Sequence, residues 1–158
     1  RIAGEWGHIP LPWPRDDERP GPACYCGKFG CIETWLSGPG LSGQYFLRSG
    51  ICLPASELAS ASRAGDVIAQ RCLRDYEDRL ARGLSVIVNV FDPDTIVLGG
   101  GLSNLADLYN ALPALMTRYV LSGEVQTRVV RAVHGDSSGV RGAAMLWPLL
   151  KNVEERAP

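Results

Sequence analysis

Three cysteines crowd into Cys24-Tyr25-Cys26-Gly27-Lys28-Phe29-Gly30-Cys31, inside a stretch that also carries Pro10, Pro12, Pro14, Pro20 and Pro22. Proline fixes φ and removes a backbone donor, so residues 8–31 cannot form a regular helix over most of their length. A loop of this kind needs an external tie. His8 with Cys24, Cys26 and Cys31 offers one imidazole and three thiolates, a complete tetrahedral set for Zn2+ with no position left for water. Such a site is structural, and Gly27 and Gly30 permit the tight backbone that folds three sulfurs onto one ion. The alternative is a set of reduced cysteines that bind nothing. Five cysteines is an odd number, and Cys52 and Cys72 stand apart in stretches read as helical, so metal binding fits better than disulfides. Free thiols of this kind also fit a reducing cytoplasm.

With 158 residues, 46% of them hydrophobic and 21% charged, the chain suits one globular domain. Lysine plus arginine (16) nearly balances aspartate plus glutamate (17), so no net charge draws it onto nucleic acid or an anionic membrane. The longest apolar stretches, 85–91 and 143–150, fall well short of the ~20 residues that cross a bilayer. The expected partner is a small molecule or another protein, with no nucleic acid and no membrane. The chain opens on Arg1, a few residues before a dense motif, so further sequence upstream is expected.

Beyond the loop, 32–36 reads as a short helix broken at Ser37-Gly38-Pro39-Gly40, followed by a second near 41–47 and a third after Pro54. The strongest element is a helix over 66–91, with Cys72, Leu73, Tyr76, Leu80, Leu84, Ile87, Val88 and Phe91 at helical spacing. Arg74 with Asp78, Asp75 with Arg79, and Asp78 with Arg82 lie four apart, and are read as a solvated face. Asp92-Pro93-Asp94 ends the helix, 96–98 reads as a buried strand, and Gly99-Gly100-Gly101 follows at once. Ser103 or Asn104 is the expected cap of a further helix that Pro113 should kink or divide. A strand over 126–133, a turn at 134–139 with Asp136 as a cap, and a last helix over 140–150 complete the chain. Alternating strands and helices argue for an α/β layer with a mainly parallel sheet.

Gly4-Glu5-Trp6-Gly7-His8 and the run from Cys24 through Cys31-Ile32-Glu33-Thr34-Trp35-Leu36-Ser37-Gly38-Pro39-Gly40 resemble the signature of the ROK sugar kinases, especially the bacterial fructokinases. The segments Asp92 to Gly101 and His134-Gly135-Asp136-Ser137-Ser138-Gly139-Val140-Arg141-Gly142-Ala143-Ala144 resemble that family in order and spacing. The resemblance spans nearly the whole chain. It implies an actin-like ATPase (ribonuclease H-like) lobe, the C-terminal one, over residues 1–158, with the zinc loop 8–31 inserted in it.

The resemblance also implies roles. Glu5, His8 and Glu33 would meet sugar hydroxyls, and carboxylates do accept paired hydrogen bonds from vicinal hydroxyls. A metal-bound His8 would hold its other nitrogen in one orientation. Gly99, Gly100 and Gly101 would lie beside the adenosine and phosphates of ATP, carried with Mg2+. The aspartate that takes the proton from the sugar, and the first phosphate loop, are expected upstream, so no catalytic residue is assigned here and the chain alone should not turn over. The implied enzyme is an ATP-dependent hexose kinase. Trp6 and Leu11-Pro12-Trp13 look more like fructokinases than glucokinases, which points to fructose; N-acetylglucosamine and mannose are the other candidates. Trp6, Trp13 and Trp35 are candidates either for stacking on a sugar or for local core. Many relatives are dimers, so a cytoplasmic homodimer is expected. The rivals are the sugar-sensing domain of a ROK transcriptional repressor and a noncatalytic zinc-stabilised interaction domain.

Overall fold

The long amphipathic helix organises the molecule. In the computed structural model, which describes residues 4–146, α4 spans Val67–Phe91 and buries Ala69, Cys72, Tyr76, Leu80, Ala81, Leu84 and Val88 in the main core. Its start is fixed by Asp66, whose carboxylate accepts from the amides of Ile68 (2.8 Å) and Ala69 (3.0 Å) and so satisfies two orphan donors of the first turn. Tyr45 donates to the same carboxylate at 2.6 Å. The helix ends where Asp92 turns left-handed (φ 45°) just before Pro93.

Around α4 pack α1 (Ile32–Leu36), α2 (Gly38–Ser49), α3 (Ala55–Arg63) and α5 (Leu108–Met116). The break expected at Ser37-Gly38-Pro39-Gly40 is present but confined to Ser37, and α2 begins at Gly38 rather than near 41. Ser37 caps α2 by accepting from the Gly40 amide at 3.1 Å, and Pro39 sits in the first turn, where its missing N–H is harmless. Gly50 closes α2 in the left-handed conformation. Cys52, read as helical, lies exposed in the extended link between α2 and α3.

Two parallel strands, β1 (Thr95–Leu98) and β2 (Arg128–Arg131), pair in register from Thr95 with Arg128 to Leu98 with Arg131, and α5 lies on the crossover between them. The α/β expectation therefore holds, as one parallel pair among the described residues. Neither Ser103 nor Asn104 caps α5. Gly101–Asn104 is a 3-10 turn in which the Ser103 hydroxyl donates to the Gly100 carbonyl (2.6 Å), while the Asn104 side-chain oxygen accepts from Arg131. Both side chains are occupied locally, and α5 begins only at Leu108. Pro113 lies inside α5 without dividing it. The last described helix, α6, spans Ser138–Met145; the part of the expected helix beyond 146 lies outside the described residues. No helix among the described residues is long and apolar enough to cross a membrane.

Candidate functional site

The proline-rich loop folds back on itself twice. Isolated bridges join Ala23 to Phe29 and Pro10 to Cys31, and the Gly30 amide donates to the Pro22 carbonyl at 2.9 Å. The two arms touch so closely that a Cβ at Gly21 would lie 2.5 Å from the Gly30 Cα, so neither glycine tolerates a side chain without moving the other arm. This folding brings His8, Cys24, Cys26 and Cys31 together, with their donor atoms all within 4.8 Å of one another. His8 Nδ1 is 3.5 Å from Cys24 Sγ, and Cys26 Sγ is 3.6 Å from Cys31 Sγ. Burial pushes the Cys31 thiol up to about 11, while the Lys28 backbone amide draws Cys26 down to about 7. The four side chains are of the kind that could hold a metal ion between them.

His8 faces two ways. With Nδ1 toward the sulfurs, Nε2 points outward, 3.8 Å from Glu33 Oε2 and 2.7 Å from the Tyr25 hydroxyl. Glu33 stands in α1, two residues after Cys31, so helix geometry carries its carboxylate to the side of the cluster. Glu5 sits just before the 3-10 turn Trp6–His8 and makes no side-chain cap to it. Its charge, with those of Glu33 and Cys24, adds to partial desolvation in holding the Tyr25 phenol above its usual range. The structure thus brings His8 and Glu33 together beside the cysteine cluster, with Glu5 just before the turn that carries His8.

The loop is also tied to α4 by a buried charge centre that the spacing of residues did not reveal. The Glu18 side chain is fully buried; it accepts from Arg79 Nε at 2.8 Å, from both terminal nitrogens of Arg82 at 2.8 Å, and from the Arg15 amide at 2.8 Å. Arg79 (3% exposed) and Arg82 (1%) are therefore not part of a solvated face, which corrects the expectation from their spacing. Asp78 does pair with Arg82 (3.1 Å), but Asp75 turns instead to Arg48 (2.7 Å) and Arg15 (3.3 Å). Arg79 also lies over the Trp35 ring, 4.3 Å from its centroid.

Of the three candidate tryptophans, Trp6 and Trp35 pack into the core. Trp6 donates to the Gly83 carbonyl (3.3 Å) and lies so close that a Cβ at Gly83 would come within 2.7 Å of its ring. Trp35 is buried beside Leu11 and Ile32, and Trp13 stacks on Tyr119 with centroids 5.5 Å apart.

Gly99, Gly100 and Gly101 leave β1 at its carboxyl end, where open α/β sheets leave a crevice. A side chain added at any of the three would meet nothing within 4 Å. The element that follows is the short 3-10 turn rather than the α-helix expected from sequence; the helix start that borders this space is that of α2, at Ser37 and Gly38. A cavity of about 300 Å3 is lined by the three glycines with Trp6, Ser37 and Gly38. Gly38 and Gly101 also border a larger one, about 570 Å3, together with Ser62, Arg63, Glu77 and Asp136. Asp136 does not cap α6; its carboxylate accepts from Ser137 and its residue borders this cavity. Glu77 is held above the usual carboxylate range by burial and by the charge of Asp107. The contribution of α3 and α4 to this cavity was not legible in the sequence, since Ser62, Arg63 and Glu77 form no motif.

Residues 1–149 match the ROK family over nearly the full chain. The chain belongs to the ROK family. The N-acetyl-D-glucosamine kinase of Pectobacterium atrosepticum is 40% identical to this ROK chain over 149 residues, covering 92% of the chain and 49% of the relative. A ROK family glucokinase from Streptomyces griseus, solved with glucose and AMPPNP, superposes with a TM-score of 0.77 at 27% identity, over 92% of this chain and 51% of that one. A ROK family transcriptional regulator, a homologue of the Escherichia coli MLC protein, shares the fold with a TM-score of 0.64 at 22% identity, over 80% of this chain and 33% of that one. The ROK chain spans about half the length of the curated relatives it matches. Its fold is the α/β fold of ROK kinases, related to the actin-like ATPases.

Proposed function

We propose that this chain is the part of an ATP-dependent sugar kinase that holds a structural Zn2+, presents sugar-binding side chains beside it, and borders the nucleotide. The observation that carries the reading is the two-sided placement of His8, with Nδ1 on the cysteine cluster and Nε2 toward Glu33. Tetrahedral zinc with bonds of about 2.3 Å to sulfur and about 2.0 Å to nitrogen sets its donors about 3.5 to 3.8 Å apart. The separations of 3.5 and 3.6 Å fit that ion, the remaining donors lie within 4.8 Å, and four protein donors would leave it no open position for chemistry. The metal's contribution is therefore to order the loop and to fix the His8 ring.

Glu5, His8 and Glu33 would then orient the sugar through hydrogen bonds to its hydroxyls. ATP with Mg2+ would lie in the crevice at Gly99, Gly100 and Gly101, whose bare backbone lets a large ligand approach. Transfer of the γ-phosphoryl group in such an enzyme is achieved chiefly by positioning and charge neutralisation. The general base is assigned to the part of the protein outside this chain.

Two sugars have specific support. The Gly-Glu-Trp-Gly-His segment favours fructose, although Trp6 is committed to Gly83 and can act only by setting where Glu5 and His8 stand. The 40% identical relative is named for N-acetyl-D-glucosamine. The test is a coupled ADP-release assay on the full-length protein with D-fructose, N-acetyl-D-glucosamine, D-glucose and D-mannose. Turnover of any one of them, lowered at least 100-fold by Glu33→Ala, supports the kinase reading. Sugar binding without ADP release favours a sugar-sensing regulator instead.

A further inference from the structure

We infer that Tyr25 is a placeholder for the substrate: its phenol occupies the hydrogen-bonding position on His8 Nε2 that a sugar hydroxyl takes, and it must swing away when the sugar binds. This rests on the assignment of His8 and Glu33 to the sugar site.

The geometry is specific. The Tyr25 oxygen lies 2.7 Å from Nε2, closer than the Glu33 carboxylate at 3.8 Å, and the two rings meet edge to face at 5.0 Å. Because Nδ1 is turned to the sulfurs, the ring proton belongs on Nε2, and that single N–H serves one strong acceptor at a time. Tyr25 is nevertheless 82% exposed, in the turn between two cysteines of the cluster. An aromatic side chain so exposed has little packing to lose, so releasing it sacrifices little beyond that one hydrogen bond. Tyr25, Glu33 and Gln44 border the same open cavity of about 340 Å3, which gives the ring a place to move and a hexose a place to enter.

Removing the phenolic oxygen should abolish the competition. The test is calorimetric titration of the full-length protein and its Tyr25→Phe variant with D-fructose and N-acetyl-D-glucosamine, with zinc content measured on both. For the sugar that binds, Tyr25→Phe should bind about five-fold tighter, the net value of one neutral hydrogen bond. The gain should vanish for one member of the monodeoxy series of that sugar, the one lacking the hydroxyl that meets His8; a merely structural change would shift the whole series alike. Equal or weaker binding by a zinc-loaded Tyr25→Phe overturns the placeholder while leaving the site assignment intact. A wild-type protein that binds neither these two sugars nor D-glucose or D-mannose in the same titration overturns the site assignment, and the placeholder with it.

Discussion

Arg82 grips Glu18 with both ends of its guanidinium, Nη1 donating to Oε2 and Nη2 to Oε1, each at 2.8 Å, across 64 residues of chain. Such a fork is among the stronger charge-assisted contacts, and here it is sealed from water. Removing one member leaves buried charge without compensation, which typically destabilises by 3–5 kcal/mol. Glu18→Gln, which keeps an acceptor but loses the charge, is expected near the lower end, about 3 kcal/mol. Urea unfolding of the full-length protein checks this; a loss under about 1 kcal/mol would mean that the loop is held without the pair.

The same carboxyl makes stability depend on acid. Burial alone would raise it, but the hydrogen bonds from Arg82, the Arg15 amide and Arg79 hold it down at about 2, against an ordinary value of 4.5. Its folded value is depressed, so its stabilisation is complete above about pH 4.5 and is lost as pH falls from there toward 2. Asp75, which burial would raise, is lowered by Arg48 and Arg15, and Asp66 is lowered by Tyr45, so both act in the same direction. The urea midpoint of wild type should drop through this window with a steeper slope than that of Glu18→Gln. Parallel slopes would assign the acid sensitivity elsewhere.

One zinc per chain is expected in freshly prepared, reduced protein. Cys26→Ser should lose it, and prolonged chelation should do the same to wild type. The buried pair between Glu18 and α4 does not depend on metal, so the stretch around Glu18 should stay protected in hydrogen exchange while residues 23–31 open. Retention of stoichiometric metal by Cys26→Ser would exclude that sulfur as a ligand.

Gly101→Val probes the nucleotide side. Open space surrounds the added side chain, so thermal stability should hold within about 0.5 kcal/mol. The branched group would project where ATP is proposed to approach, and KM for MgATP should rise at least ten-fold, with a smaller change for the sugar. An unchanged KM for MgATP would move the nucleotide away from these glycines.

How much of this was legible beforehand follows from distance along the chain. The cysteine cluster is local, and α4 announces itself by periodicity; both stand where the sequence put them. Both strands were found, the first one residue short, 96–98 against Thr95–Leu98, and the second overextended, 126–133 against Arg128–Arg131, because pairing rather than propensity sets their ends. Arg79 and Arg82 were misread because an aspartate four residues away looks sufficient on a helix surface. Their main partner, Glu18, lies more than sixty residues away in a proline-rich loop, and no spacing rule connects the two. The 570 Å3 cavity escaped for a similar reason: its walls come from α3, α4 and two turns that meet only on folding.

The brevity of α1 has a consequence for how this protein can change over generations. Only five residues separate the last cysteine of the cluster from Ser37, and within that span stands Glu33, whose carbonyl accepts from the Ser37 amide at 3.0 Å. A helical insertion of one residue rotates everything beyond it by about 100° and advances it about 1.5 Å. A single added residue in 32–36 would therefore swing the carboxylate, or the rim of the cavity at Gly38, out of alignment with the cysteines, and no neighbouring slack would absorb the error. The stretch 12–19 is held through side chains instead, with Arg82 donating to the Pro12 and Trp13 carbonyls, Arg15 paired with Asp75 and Trp13 stacked on Tyr119, so length variation should be purged first from α1.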